Sequence, residues 1–267
     1  VGFGHRRLSI IDPTPSGHQP MIDKQTGNVL TYNGEVYNYL EIRAQLEKGG
    51  FKFDTATDSE VILKAYSAYG VDCVNHFNGM FAFAIWDVSK NELFVARDRL
   101  GIKPFYYQLT DDGVFYFASE VKALRTVNAQ RPDLNENLID QYMSFGYIPG
   151  TDTLEKGIKR LLPGHRAILK NATLSIEQYW DLEFNNDQDL GFDYYLEHSR
   201  DLLNSAIDLR LRSDVPLGIF LSGGIDSSAI VGLLAERTTE QLKTFSVAYD
   251  FGEAFNETKY ARMISDR

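Results

Sequence analysis

One cysteine in 267 residues, Cys73, leaves no partner for an internal disulfide, and such sparing use of cysteine points to a reducing compartment. No apolar run approaches the ~20 residues that a membrane-spanning helix requires. No secretory leader pattern is present either, so neither membrane nor export is expected and a cytoplasmic location is. Basic residues are in deficit, 27 against 37 acidic, for a net charge of −10. That balance argues against nucleic acid as a partner, although plain solubility also accounts for it. Internal repeats and low-complexity tracts are missing as well. What the chain does have is 43% hydrophobic and 13% aromatic residues, enough for packed cores, and a length that suggests two domains. It begins Val1-Gly-Phe-Gly in strand-like sequence with no methionine and ends Met263-Ile-Ser-Asp-Arg267 in a helical pattern. Both ends are therefore expected to be cut.

Two grammars follow one another along the chain. In the first ~130 residues short β patterns alternate with two helices. Asn28–Tyr32 reads as a strand ending at Asn33-Gly34, and Glu35–Lys48 as an amphipathic helix closed by Gly49-Gly50. A second helix is expected from about Ser59 to Tyr69, stopped by Gly70. Met80–Asp87 is β-rich, and Ser89–Glu92 turns into a strand at Leu93–Arg97. Phe105–Leu109 and Val114–Ala118 flank Thr110-Asp-Asp-Gly113, a hairpin signal. Dense antiparallel strands with few helices indicate an α+β layered domain. From about Glu183 to Leu190, with Asn185-Asn-Asp-Gln-Asp189 at its centre, the composition turns polar like a linker. Beyond it a helix (194–212), a strand (217–221), a helix (227–237) and a strand (243–249) alternate, the grammar of a doubly wound parallel α/β sheet. The expected domains are residues 1–183 and 191–267.

At the heart of the second grammar lies Gly218-Ile-Phe-Leu-Ser-Gly-Gly-Ile-Asp-Ser-Ser228, a strand breaking into a glycine- and serine-rich loop before a helix. Such a loop directs backbone N–H groups at an anion beside a helix N-terminus. Ser222, Ser227 and Ser228 add hydroxyls, and Asp226 can hold Mg²⁺ against phosphate oxygens. The loop has no lysine, so it is not a Walker loop, and the dinucleotide glycine spacing is absent too. Retention of pyrophosphate while the α-phosphate is attacked suits it better than cleavage at the γ-phosphate. A tight turn with a capping serine is the plainer alternative. Ser222-Gly-Gly-Ile-Asp-Ser-Ser228 resembles the motif of the N-type ATP pyrophosphatases, which adenylate a carboxylate. That resemblance implies ATP as cosubstrate, with Ser222, Gly223, Gly224 and Ser227 on pyrophosphate and Asp226 on magnesium. It also implies an adenine pocket lined by Leu221 and Val247.

Upstream, four polar sites stand out. Arg7, in His5-Arg-Arg-Leu-Ser-Ile-Ile-Asp12, can clamp a carboxylate bidentately or serve only a surface ion pair. Asn33 with the N–H of Gly34 can stabilise an oxyanion or form a turn into the next helix. Thr57 and Glu60 fit a capping box, which makes Asp58 either a helix-start acid or a ligand for an ammonium. Ala96-Arg-Asp-Arg-Leu-Gly-Ile-Lys-Pro104 reads as a charged, structural turn. Together with Tyr32-Asn-Gly-Glu-Val-Tyr-Asn38, Phe77-Asn-Gly-Met-Phe-Ala-Phe-Ala-Ile-Trp-Asp87 and Phe117-Ala-Ser-Glu-Val-Lys-Ala-Leu124, these phrases resemble class II glutamine amidotransferases, the N-terminal-nucleophile glutaminases. More narrowly they resemble glutamine-hydrolysing asparagine synthetases, as do Phe145-Gly-Tyr-Ile-Pro-Gly150, Leu162-Pro-Gly-His165 and Phe255-Asn-Glu-Thr-Lys-Tyr-Ala261.

The resemblance implies an α+β N-terminal-nucleophile glutaminase sandwich followed by the start of an α/β ATP pyrophosphatase domain. Arg7 would bind the α-carboxylate of glutamine, Asp58 and Glu35 its α-ammonium, and Asn33 with Gly34 would form the oxyanion hole. The family's nucleophile is an N-terminal cysteine, expected in a missing first segment; mid-chain Cys73 reads instead as a buried hydrophobe. Ammonia from glutamine would reach a β-aspartyl-AMP made from aspartate and ATP, in a homodimeric, cytoplasmic enzyme. Another carboxylate such as a polysaccharide uronic acid is an alternative acceptor, because the residues that choose it would lie beyond Arg267. A β-lactam-synthetase-like adenylating enzyme and a non-catalytic relative are further alternatives. The 267 residues alone are expected to be inactive in both halves.

Overall fold

The computed structural model describes residues 1–127, 132–184, 188–239, 241–248 and 256–266. They fall into two compact units, Val1–Glu183 and Phe184–Arg267. The centre of the expected linker, Asn185–Asp187, lies outside the described residues, as do Phe255 and the last residue of the strand expected at 243–249.

The first unit runs β1 (Met21–Ile22), β2 (Val29–Val36), α1 (Tyr39–Lys48), α2 (Asp58–Tyr69), β3 (Gly79–Asp87), β4 (Glu92–Arg97), β5 (Tyr106–Leu109), β6 (Phe115–Ala118), α3 (Val121–Arg125), α4 (Ile139–Phe145), β7 (Lys159–Arg160), β8 (His165–Lys170) and β9 (Thr173–Gln178). Six strands form one antiparallel sheet in the order β1-β2-β3-β4-β8-β9, and three form a second, β6-β5-β7. The alternation along β3 decides how these layers stack, because successive side chains of a strand leave opposite faces. Phe81, Phe83 and Ile85 join Ile42 and Leu46 of α1 and Val61, Ile62 and Ala65 of α2 in one core. Ala82 and Ala84 join Phe105, Tyr107, Phe115 and Phe117 around the small sheet in another. The large sheet thus has helices on one face and a second sheet on the other, an α+β layering. The smaller Ala side chains face the side where Phe105 and Phe117 stack with ring centroids 5.4 Å apart.

Three local expectations need correction. The strand-like opening forms no strand: residues 1–10 run as irregular chain. Asn33-Gly34 does not end a strand, because β2 continues through it to Val36, with Asn33 opposite Ala82 and Gly34 opposite Phe81. The first helix accordingly begins at Tyr39, not Glu35. Long-range pairing with β3 has overruled the local preference of Asn-Gly for a turn. The capping box is also only half formed. Thr57 accepts the N–H of Glu60 at 3.1 Å, but the Glu60 carboxylate reaches past Thr57 to the N–H groups of Asp54 and Thr55 at 2.9 and 2.7 Å.

The charged turn after β4 is structural, as its sequence suggests. Asp98, 1% exposed, accepts N–H groups from Phe81, Leu100, Ile102 and Lys103 at 2.9–3.2 Å. Arg97 donates to the carbonyls of Lys103, Leu161 and Gly101 at 2.6–2.7 Å. Gly101 sits at φ +66°, and a Cβ there would lie 2.7 Å from Pro163 and 3.0 Å from the Arg97 guanidinium.

In the second unit α5 (Phe192–Arg210) precedes β10 (Ile219–Phe220), α6 (Ile225–Ala235), β11 (Thr244–Phe245) and α7 (Thr258–Ser265). β10 and β11 pair in parallel around a β–α–β crossover, the doubly wound grammar expected, with strands shorter than the sequence suggested. Leu221, Val231 and Ala261 form the small core beneath the crossover.

Replacing Asp98 by alanine removes the acceptor from four backbone donors, the Phe81 one buried and the other three part-buried. Urea denaturation of the variant is expected to show a loss of about 3 kcal/mol or more; an unchanged midpoint would refute this role.

Candidate functional site

The carboxylate of Asp58 organises the first site. As the first residue of α2, just after the cap Thr57, it meets the positive end of the helix dipole. It is 6% exposed, accepts the Tyr32 hydroxyl on Oδ2 at 2.8 Å, and accepts the Val36 N–H on the same oxygen at 3.1 Å. Burial pushes its pKa above the ordinary carboxylate value, while the phenol, the backbone donors of Val36 and Ser59, and the nearby Arg7 guanidinium pull against burial.

Arg7 is tied into its own loop. It donates to the carbonyls of Ile11 and Asp12 at 2.5 and 2.9 Å, leaving part of a five-donor fork for other use. The Asp12 carboxylate accepts N–H groups from Thr14 and from Ala56, at 3.2 and 3.3 Å, and so fastens the arginine loop to the turn leading into α2. Gly17 leaves the guanidinium its space, since a Cβ there would lie 2.2 Å from Nη1.

Asn33, Gly34 and Glu35 succeed one another on β2. Gly34, at φ +150°, lies so close to β3 that a Cβ would fall 2.0 Å from the Met80 carbonyl oxygen. Asn33 Nδ2 donates to Ser119 Oγ at 3.4 Å, and Glu35 is buried. A cavity of about 680 Å³ brings these residues together: Arg7, Asn33, Gly34, Glu35 and Asp58 all line it. So do His5, Gln19, Tyr32 and Ser59, which the sequence did not mark as site residues. The only signal for Tyr32 was its place beside Asn33, and Gln19 had none. Cys73 is elsewhere, fully buried in the core against the helices, where burial pushes its thiol pKa up.

In the second unit, hydroxyls close the Ser222–Ser228 loop on itself. Ser222 and Ser227 Oγ lie 3.0 Å apart, Ser222 Oγ accepts the Gly224 N–H at 3.3 Å, and Ser227 Oγ accepts the Ser222 N–H at 3.3 Å. Gly224 caps α6. Gly223 stands at φ +83°, and a Cβ there would strike Tyr260 and the Ala261 nitrogen at 2.5–2.6 Å, so α7 packs directly on the loop. Leu221 is buried and its carbonyl accepts the Ser246 hydroxyl at 2.5 Å, whereas Val247 is 64% exposed. Ser228 Oγ is buried with no hydrogen-bond partner among the described residues. Rearrangeable hydroxyls, an orphaned oxygen and glycine backbone at an eleven-residue helix's N-terminus fit a polyphosphate. Asp226, in the first turn of α6, is exposed. Among the described residues no group of three or more His, Cys, Asp or Glu side chains is arranged to hold a metal. Nor is any described helix long and apolar enough to cross a membrane.

The first unit is an α+β layering with a residue-lined cavity, and family comparison gives its class. Residues 1–180 match the family model described as glutamine amidotransferase domain, and residues 198–267 the one described as asparagine synthase. The chain belongs to the glutamine amidotransferase domain family. A Methanocaldococcus jannaschii relative with a provisional name of glutamine-hydrolysing asparagine synthetase 2 is 38% identical over 100% of this chain and 54% of its own. Asparagine synthetase (glutamine-hydrolysing) 1 of Bacillus subtilis is 40% identical over 98% of this chain and 41% of its own. An amidase of Gibberella zeae, chry2, is 35% identical over 100% of this chain and 41% of its own. The chain thus spans about half or less of the length of these curated relatives.

Gly34→Ala is expected to force β2 and β3 apart at Met80, costing about 1–3 kcal/mol of stability. Urea unfolding and crystallography of the variant would check this; wild-type stability with β2 undisplaced would refute the close-approach argument.

Proposed function

We propose that the protein to which these residues belong is a glutamine-dependent amidotransferase that activates a carboxylate with ATP, with aspartate as acceptor and asparagine as product. The observation that carries the reading is the convergence of Arg7, Asn33, Gly34, Glu35 and Asp58, scattered over the first 58 residues, on one cavity. Its charges match the two ends of an amino acid. The Arg7 fork suits the α-carboxylate, and the Asp58 and Glu35 carboxylates suit the α-ammonium. That leaves the side-chain amide toward Asn33 and Gly34, whose N–H donors would stabilise the oxyanion formed as a nucleophile attacks the amide carbon. A thiolate attacking there expels ammonia and leaves a thioester, which water cleaves to glutamate. Cys73 does not serve, because it is buried in the core with its thiol pKa raised. An N-terminal cysteine whose own α-amine acts as base is the nucleophile this reading requires.

In the second unit, Ser222, Gly223, Gly224 and Ser227 would cradle the β- and γ-phosphates of ATP, with Leu221 and Val247 beside the adenine. An acceptor carboxylate oxygen attacks the α-phosphorus, the bond to pyrophosphate breaks, and an acyl-adenylate, β-aspartyl-AMP for aspartate, forms. Ammonia then displaces AMP to give the amide. Mg²⁺ bound with the nucleotide would neutralise phosphate charge, and Asp226 is the protein ligand available to it. A cytoplasmic homodimer belongs to the same reading, supported by the single cysteine and the family resemblance. The relative named as an amidase favours a second version, in which another carboxylate takes the place of aspartate.

ATP–pyrophosphate exchange by the intact protein tests the reading. Exchange should require aspartate, and Asp226→Ala should lower it about a hundredfold or more while sparing glutaminase. Exchange indifferent to aspartate would point to another acceptor, and exchange that survives Asp226→Ala would refute the metal role.

A further inference from the structure

We propose that Tyr32 is the positioning residue for ammonium recognition: its buried hydroxyl fixes the Asp58 carboxylate in the orientation and charge state that a substrate α-ammonium needs. The inference rests on the glutaminase reading above, and adds to it a residue that acts through Asp58.

Geometry carries it. Tyr32 is 3% exposed and donates its hydroxyl to Asp58 Oδ2 at 2.8 Å, the oxygen that also receives the Val36 N–H at 3.1 Å. Two donors from one strand thus hold one edge of the carboxylate against β2. Tyr32 is itself held: its N–H donates to Gln19 Oε1 at 2.7 Å, and Gln19 Nε2 donates to Ser59 Oγ at 3.3 Å. Ser59 follows Asp58, so Tyr32, Asp58, Ser59 and Gln19 close a ring that joins β2 to the start of α2. Each of the four is 6% exposed or less.

Such a ring has an electrostatic consequence. A buried carboxylate tends to neutralise, and a neutral carboxyl is a poor ligand for an ammonium. Donors to the charged form oppose that tendency, and a phenol is the strongest neutral donor available among side chains here. Burial and the adjacent Asp58 drive the Tyr32 phenol pKa well above its ordinary value, so the hydroxyl keeps its proton and remains a donor. The charged and titratable groups around the pair are Arg7 from the N-terminal loop, Glu35 from β2 and Tyr37 just beyond it. Arg7 favours the Asp58 carboxylate, and Glu35 with Asp58 keeps the Tyr32 phenol protonated, so the phenol adds to the Arg7 contribution against burial. The aromatic ring packs in the core against the helices, a role phenylalanine can fill. The hydroxyl is therefore separable from the packing.

The test is calorimetric titration of the 267-residue chain with L-glutamine between pH 5 and 9, for the unsubstituted protein and Tyr32→Phe, with thermal melting as the check on folding. Losing one hydrogen bond to the charged form should move the acid limb of the affinity profile up by about one pH unit, roughly tenfold weaker binding on that limb. The gap should close as pH rises and Asp58 ionises again. Binding of 4-carbamoylbutanoate, which is glutamine without its α-amino group, should not change. Loss that is uniform with pH and equal for both ligands, or no loss, would overturn the assignment of Tyr32. Failure of the folded, unsubstituted chain to bind L-glutamine at any pH would instead overturn the assignment of Arg7, Glu35 and Asp58 to glutamine, on which the glutaminase reading rests. Should Tyr32→Phe not fold, Tyr32→3-fluorotyrosine, introduced at that codon alone, makes the complementary change. A stronger donor should move the acid limb to lower pH, and an unmoved limb would overturn the proposal.

Discussion

Two glycines on adjacent strands, each set against the neighbouring backbone, set the terms for the first unit. In the β2–β3 register Gly34 stands opposite Phe81 and Gly79 opposite Val36. A Cβ at Gly34 would fall 2.0 Å from the Met80 carbonyl oxygen, and one at Gly79 would fall 2.3 Å from that of Glu35. The backbones approach where no other residue fits, and that approach lets β2 run on to Val36 instead of turning away at Asn33. Everything near the cavity follows from the extra length of strand. Asn33 and Glu35 share a strand with Tyr32 and Val36, so the donors that hold Asp58 and the residues assigned to the amide carbon are spaced by one pleat. A turn at Asn33 would have separated them.

Charged residues in this unit do two different jobs, and their partners tell the jobs apart. Asp98 and Arg97 spend their hydrogen bonds on backbone groups of the turn after β4, of Phe81 and of Leu161, and are nearly covered. Such closure satisfies buried polar groups and leaves nothing for a ligand. Arg7 and Asp58 are held just as firmly, by Ile11 and Asp12 in one case and by Tyr32 and Val36 in the other, yet both also face a cavity. Preorganisation with exposure to a cavity, not burial or charge alone, separates a site from a structural knot.

Local chemistry made much of this legible in the sequence. Thr110-Asp-Asp-Gly113 marked the hairpin between β5 and β6, the aromatic alternation of 80–87 marked β3, and Thr57 marked the start of α2. Where the sequence misled, a tertiary partner had outvoted a local preference. Asn33-Gly34 reads as a turn because both residues tolerate turn conformations, and only the presence of β3 makes it strand. Glu60 reads as the return half of a capping box, but the preceding loop offers it the N–H groups of Asp54 and Thr55 instead. Tyr32 and Gln19 were silent for the same reason: nothing in a tyrosine or glutamine reveals that its partner lies 26 or 40 residues away.

The second unit shows why a missing lysine is informative. A Walker lysine brings a fixed positive charge to the phosphate being transferred, which suits attack at the chain's far end. In the loop after β10 the donors are backbone N–H groups and serine hydroxyls, and those hydroxyls bond one another. Neutral donors that already satisfy each other can exchange partners for phosphate oxygens without leaving a buried charge behind when the anion departs. On the reading proposed above, they would hold a leaving pyrophosphate firmly enough to orient it and weakly enough to release it. Gly223, pressed against α7 at Tyr260 and Ala261, keeps the loop's backbone where those exchanges occur. Under the proposed function, chemistry at the α-phosphate with pyrophosphate as the group that leaves is what such a loop would serve.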